Sequence, residues 1–121
     1  MEIHFVHKLD STTITEFLVI GVFFEEDPTL AYDIFDAAPV YSNTTFTSLF
    51  PFALTNKPAY HYRGSLTTPP CLEAVNWFVQ TEPIKIRPAN LEKIIKKSEG
   101  ATNRQVQRLG ARTVSLVGNG C

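Results

Sequence analysis

The sequence is poor in the side chains that disulfide and metal chemistry use. Of 121 residues only two are cysteine, Cys71 and Cys121, and only three are histidine, His4, His7 and His61. Two cysteines define neither a disulfide framework nor a cysteine zinc site. Long apolar runs are missing too: the longest, Phe17 to Phe24, has the length of a strand, so no membrane-spanning helix is expected. The start, Met1-Glu2-Ile3-His4, has no basic region ahead of an apolar one, so no signal peptide is expected in this chain. Excess charge is absent as well, and a net charge of −1 gives no field that would gather nucleic acid.

What is present is the composition of one ordinary globular domain, 44% hydrophobic, 12% aromatic and 19% charged. There are no repeats, low-complexity runs or linkers, so residues 1–121 are expected to form a single domain. The even total hides an asymmetry. Residues 1–50 carry −7 and residues 81–112 carry +5, so the two ends should attract each other across the fold.

Period-two alternation predicts a strand over Glu2 to Lys8, with Glu2, His4 and Val6 on one face and Ile3, Phe5 and His7 on the other. It begins with no lead-in, as though the chain started inside a sheet, so the domain is expected to be incomplete on its N-terminal side. Lys8 to Ser11 reads as a hairpin connection. Thr13 to Phe24 is nearly continuously apolar and reads as a central strand. Thr29 to Ala38 reads as a short helix or an irregular segment, and Phe46 to Pro58 as a proline-bearing loop. Further strands are predicted at Tyr60 to Arg63, Leu72 to Gln80, Pro83 to Ile86 and Thr113 to Val117. Only Pro88 to Ser98 has clear helical spacing, with Leu91, Ile94 and Ile95 inward, Lys93, Lys96 and Lys97 outward, and Gly100 as a stop.

The most informative stretch is Gly64-Ser65-Leu66-Thr67-Thr68-Pro69-Pro70-Cys71, followed by Glu73, Val75 and Trp77. Two prolines behind two threonines forbid sheet pairing and leave the hydroxyls and the Thr67 amide available to a cavity. On spacing alone the stretch also reads as a plain turn.

Tyr62-x-Gly-Ser-Leu-Thr-Thr-Pro-Pro-Cys-x-Glu-x-Val-x-Trp, with Glu2-x-His4-x-Val6-His7 and Val19-Ile20-Gly21-Val22-Phe23, resembles the α-class carbonic anhydrases. The blocks follow in order along almost the whole chain, ending with Arg104-x-x-Gln107-x-Leu109 and Arg112. The resemblance implies a mainly β, β-rich α+β fold with few short helices, built on a large, twisted, mostly antiparallel sheet. It implies a lyase in which zinc-bound hydroxide attacks carbon dioxide to give bicarbonate. Carbonic anhydrase is itself the usual example of a catalytic zinc held by three histidines.

Carried onto this chain, the resemblance makes His4 a zinc ligand and Glu2 the carboxylate that orients another ligand histidine. Thr67 becomes the residue that aims the reacting hydroxide, and Thr68 its neighbour that helps hold bicarbonate. Val6, Val19, Leu66, Val75 and Trp77 become the apolar wall beside the metal, although each also satisfies ordinary core packing. His7 faces away from His4 and reads as structural, and His61 as a surface or core residue.

The family is longer than this chain. The resemblance implies that two further zinc histidines, paired on a neighbouring strand, lie outside it, together with the acid that accepts the Thr67 proton and any proton shuttle. A missing N-terminal segment or a second chain is therefore the expected partner, and Thr13 to Phe24 is expected to lack a neighbour. In many secreted members the cysteine after the double proline pairs with one near the N-terminus; here Cys121 is the other cysteine. This chain supplies no address of its own; the resemblance implies a secreted or extracytoplasmic setting for the complete protein, with the sequon at Asn43 and Cys71 in support. The alternative reading is an inactive carbonic-anhydrase-like module that binds protein. A nucleic-acid surface at Lys85 to Arg112 is disfavoured, because lysines on the polar face of a helix are ordinarily solvated.

Overall fold

The structure is a computed structural model, and it describes residues 1–9, 15–36, 57–98 and 103–118. Six strands form a sheet: β1 (Glu2–Lys8), β2 (Phe17–Glu26), β3 (Ala59–Gly64), β4 (Val75–Gln80), β5 (Ile84–Ile86) and β6 (Ser115–Val117). The helix α1 (Pro88–Lys97) lies between β5 and β6 in the chain. The sheet order is β1-β2-β4-β3-β6, with β5 also paired to β2. The β1–β2, β3–β4 and β3–β6 pairings are antiparallel, and those of β2 with β4 and with β5 are parallel. The sheet is therefore mixed.

The apolar run in β2 is explained by its neighbours. Antiparallel β1 lies on one side, while β4 takes Phe17 to Gly21 and β5 takes Phe24 to Glu26 on the other. This corrects the expectation that the central strand would lack a partner. The strand starts at Phe17 rather than Thr13, and just before it Glu16 turns its carboxylate to accept from Arg63 at 3.1 Å and Asn76 at 2.9 Å. It runs on to Glu26 because β5 supplies a second partner; Thr13 itself lies outside the described residues.

Each face of β2 carries its own apolar cluster. Val22 and Phe24 join Ile86, with Ile3, Phe5, Leu91 and Ile94 packed against them, so α1 covers this face. Val19 joins Val75 and Trp77 on the other face, with Leu66 and Tyr62 against them. Burying a valine or isoleucine side chain contributes roughly 1.5–3 kcal/mol, so these few contacts carry much of the hydrophobic stabilisation.

Helix α1 has Pro88 in its first turn, where a missing amide costs nothing, and Lys96 and Lys97 in its last, where they face the negative end of the helix dipole. It ends at Lys97, before the expected Gly100, which lies outside the described residues. Ile95 is half exposed rather than inward. Its N-terminus is held from a distance. The Asp33 carboxylate, 1% exposed, accepts from the Arg87 amide at 2.7 Å and the Asn90 side chain at 3.0 Å. Asp36 pairs with the Arg87 guanidinium. Hydrogen bonding from the Asp33 amide, then from Asn90 and Arg87, holds the Asp36 carboxyl below the usual range. With Lys85 to Glu25 at 2.6 Å, these contacts realise the attraction between the acidic and basic ends.

Of the two readings of Thr29 to Ala38, the described residues 29–36 take the irregular one, because the Asp27 and Asp33 side chains bond the amides of Thr29 and Phe35 and compete with helical pairing. One other expectation shifts. Leu72 to Ala74 precede β4 instead of joining it, because the chain leaves the Pro69–Pro70 turn through Cys71 at φ 56°, a left-handed conformation that cannot enter a ladder. The 46–58 loop is described only at Lys57 and Pro58.

Asp33→Ala is expected to lower stability by about 2 kcal/mol, since it leaves the Arg87 amide without its acceptor while Asp36 still pairs with the guanidinium. Urea unfolding checks this, and an unchanged midpoint would contradict it.

Candidate functional site

The face of the sheet opposite α1 carries a cleft of about 480 Å³, lined by Glu2, His4, Tyr62, Thr67, Trp77 and Arg104 among others. Its floor follows from strand periodicity. Glu2 and His4 of β1 look into it, and Trp77 and Val79 reach it from β4. The His4 and Trp77 rings meet in a T-shaped pair, with centroids 4.8 Å apart and planes at 73°. Tyr62, the cross-strand partner of Trp77, stacks on it at 6.3 Å and 10°. The indole NH donates to the Ser65 carbonyl at 3.1 Å, which fixes the ring and ties the threonine-proline loop to β4.

Arg104 fastens the same loop from outside, donating to the Ser65 hydroxyl at 3.0 Å and the Leu66 carbonyl at 3.2 Å. Arg112 donates to the carbonyls of Leu109 at 3.0 Å and Arg108 at 2.5 Å. Both guanidiniums thus hold backbone in place around the rim.

The central pair is Glu2 and His4, with Oε1 3.1 Å from Nε2. Glu2 was expected to orient another ligand histidine; it contacts His4 itself, because residues two apart on a strand share a face. A carboxylate at that distance favours the imidazole tautomer protonated on Nε2, with its lone pair on Nδ1. Among the described residues, that nitrogen has no hydrogen-bond partner. A metal ligand of this kind has its other nitrogen engaged by an acceptor.

The remaining predicted residues divide. Thr67 lies on the cleft wall. Val19, Val75 and Leu66 pack with Trp77 in the cluster beneath it. Thr68 is exposed and spends its carbonyl on the Cys71 amide at 2.9 Å, and Val6, 56% exposed, stands outside both the lining and the cluster. His7 is exposed on the other face, and His61 stacks on Phe78 at 4.6 Å. Cys71 is a free thiol and Cys121 lies outside the described residues.

Sequence reasoning named Tyr62, Gly21 and Arg104 only as parts of matching blocks and gave them no place in the site. Alternation through Tyr60, Tyr62 and Gly64 would have put Tyr62 on the cleft face; nothing local marks the approach of Gly21 to Glu2. Among the described residues no three of histidine, cysteine, aspartate and glutamate converge to hold a metal. The residues present therefore do not fit a catalytic zinc by themselves.

Fold and site together define a mixed-sheet protein that presents one oriented imidazole in an aromatic-walled cleft at the end of its sheet. A family model for eukaryotic-type carbonic anhydrases matches residues 1–117. The carbonic anhydrase of Nostoc sp. is 37% identical over 94% of this chain and 45% of its own length, and that of Neisseria gonorrhoeae is 37% identical over 94% and 46%. The α-carbonic anhydrase of Thermovibrio ammonificans, solved with sulfanilamide, superposes with a TM-score of 0.66 at 34% identity, covering 93% of this chain and 52% of that one. The chain belongs to the eukaryotic-type, α-class carbonic anhydrase family. It spans about half the length of the relatives it matches.

Burial pushes the Tyr62 phenol up, the Glu2 carboxylate adds to this, and Arg112 opposes it. The folded chain therefore holds this proton more tightly than the unfolded chain. Its contribution to stability is complete below the ordinary phenol value of about 10 and is lost as pH rises through the folded value. Tyr62→Phe should flatten the fall in urea midpoint above about pH 10; identical alkaline limbs in both proteins would contradict this.

Proposed function

We propose that the chain is the C-terminal part of a carbonic anhydrase catalytic domain, which performs zinc-dependent, reversible hydration of carbon dioxide to bicarbonate once a further strand completes it. The observation that supports this reading best is the Glu2–His4 pair on the terminal strand of the sheet.

The backbone of β1 explains how completion would work. The bonds Met1 N to Phe24 O and Phe24 N to Met1 O, with Leu9 N to Glu16 O, fix the phase of the β1–β2 ladder. In an antiparallel ladder, bonded and non-bonded pairs alternate. Ile3, Phe5 and His7 thus turn their amides and carbonyls to β2, while Glu2, His4, Val6 and Lys8 turn theirs outward. A strand added there would bond those groups, and its alternate side chains would share the face of His4. Two ligands spaced two apart on such a strand would meet His4 at one metal, the three-ligand set that a catalytic zinc requires. That the chain covers about half of its relatives supports the missing part of the domain as the occupant.

In this reading Glu2 keeps the His4 proton on Nε2. Thr67 offers a hydroxyl and an amide to orient a reacting oxygen, and Thr68 lies next to it for the product. Trp77, Val19, Val75 and Leu66 make the apolar wall that an apolar substrate needs, with Val6 at its margin. The secreted setting expected for the complete protein belongs to the same proposal.

Elemental analysis tests it. The full chain after dialysis against a weak chelator is expected to hold no stoichiometric zinc. Mixed with the complementary segment of the Nostoc relative, it is expected to hold one zinc per pair and to hydrate carbon dioxide, and His4→Ala should abolish both. Stoichiometric zinc on the chain alone, or a mixture indifferent to His4→Ala, would contradict the proposal.

A further inference from the structure

Gly21 lies in the middle of β2, buried, with β1 on one side and β4 on the other. Glycine is a poor choice for a strand interior, because it loses more backbone freedom than other residues and packs nothing; where it occurs, something else often approaches closely. Here the approaching group is identifiable. A Cβ built on Gly21 would meet Glu2 Oε1 at 2.8 Å, shorter than real Cβ contacts, and Val79 Cγ2 at 3.3 Å.

Register brings the two together. Gly21 is the direct cross-strand partner of His4. The phase of the ladder makes this a non-hydrogen-bonded pair, the kind in which facing residues come closest, with Cα atoms roughly 4.5 Å apart. The Glu2 carboxylate, 3.1 Å from the His4 imidazole, therefore occupies the space that a side chain at position 21 would fill. On the opposite side the Val79 methyls close off the escape of any added atom.

We infer that Gly21 is a positioning residue: its missing side chain is the space in which the Glu2 carboxylate reaches His4 Nε2 and fixes that imidazole. The inference rests on reading Glu2 and His4 as a functional pair, but its test needs no metal and no turnover. Its failure would therefore leave the zinc experiment untouched, and failure of the zinc experiment would leave this one readable.

The test is proton NMR of the full chain, following the His4 Nε2–H resonance. In the native chain a carboxylate-bonded proton is expected to be protected from exchange with water and visible. Gly21→Ala is expected to lose this resonance, as is Glu2→Ala, and adding Val79→Ala to Gly21→Ala is not expected to restore it. The stability lost on Gly21→Ala should shrink when Glu2 is also alanine, because the clashing group is then gone.

Persistence of the His4 resonance in Gly21→Ala would overturn the inference, as would an equal loss of stability in both backgrounds. If Gly21→Ala does not fold, the double variant with Glu2→Ala decides: recovery of the fold supports the inference, and continued failure overturns it.

Discussion

The structure depends on the antiparallel ladder between β1 and β2. Once the pairs Met1–Phe24 and Leu9–Glu16 set its phase, every other residue of β1 is committed. Odd positions spend their backbone on β2, and Ile3 and Phe5 put their side chains into the core under α1. Even positions keep their backbone at the outer edge and their side chains on the cleft face. The Glu2–His4 pair and the unspent edge are thus two results of one alternation. A slip of one residue would bury the pair under the helix and expose Ile3 and Phe5.

The rest of the molecule holds that strand pair still. On the helix side, Val22, Phe24 and Ile86 form the dry centre, and buried Asp33 ties the start of α1 to the turn before it. On the cleft side, Trp77 is held at its ring faces and edges by Tyr62 and His4 and at its nitrogen by Ser65. Arg104 then pins the loop that carries Thr67. An imidazole that packs on a fixed indole with a carboxylate 3.1 Å from its Nε2 has reduced freedom, which suits a group that must meet a ligand in one orientation.

Much of this was legible in the sequence where it depends on local periodicity. The bounds of β1, the faces of Glu2, His4 and Ile3, and the extent of α1 all follow from spacings of two and of three to four. The threonine-proline block and Trp77 marked the cleft wall, and the matching blocks pointed to the family. What escaped depends on pairing between distant segments. Nothing in the run Phe17 to Phe24 says that β4 and β5 share one of its edges in succession. Nothing near Glu2 says that its partner is His4 rather than a histidine elsewhere, and the close approach of Gly21 exists only in the register. Thr68 and Val6 were placed by resemblance alone, and neither lines the cleft here.

The central claim is that the outward backbone groups of β1 are a strand-pairing edge awaiting the rest of the domain. Residue-resolved amide hydrogen exchange reads this most directly. The account predicts slow exchange at Ile3, Phe5 and His7 and fast exchange at His4, Val6 and Lys8 in the chain alone, with the second set becoming slow when the complementary segment is bound. Protection of both sets in the chain alone, or continued fast exchange of the second set in the complex, would contradict it.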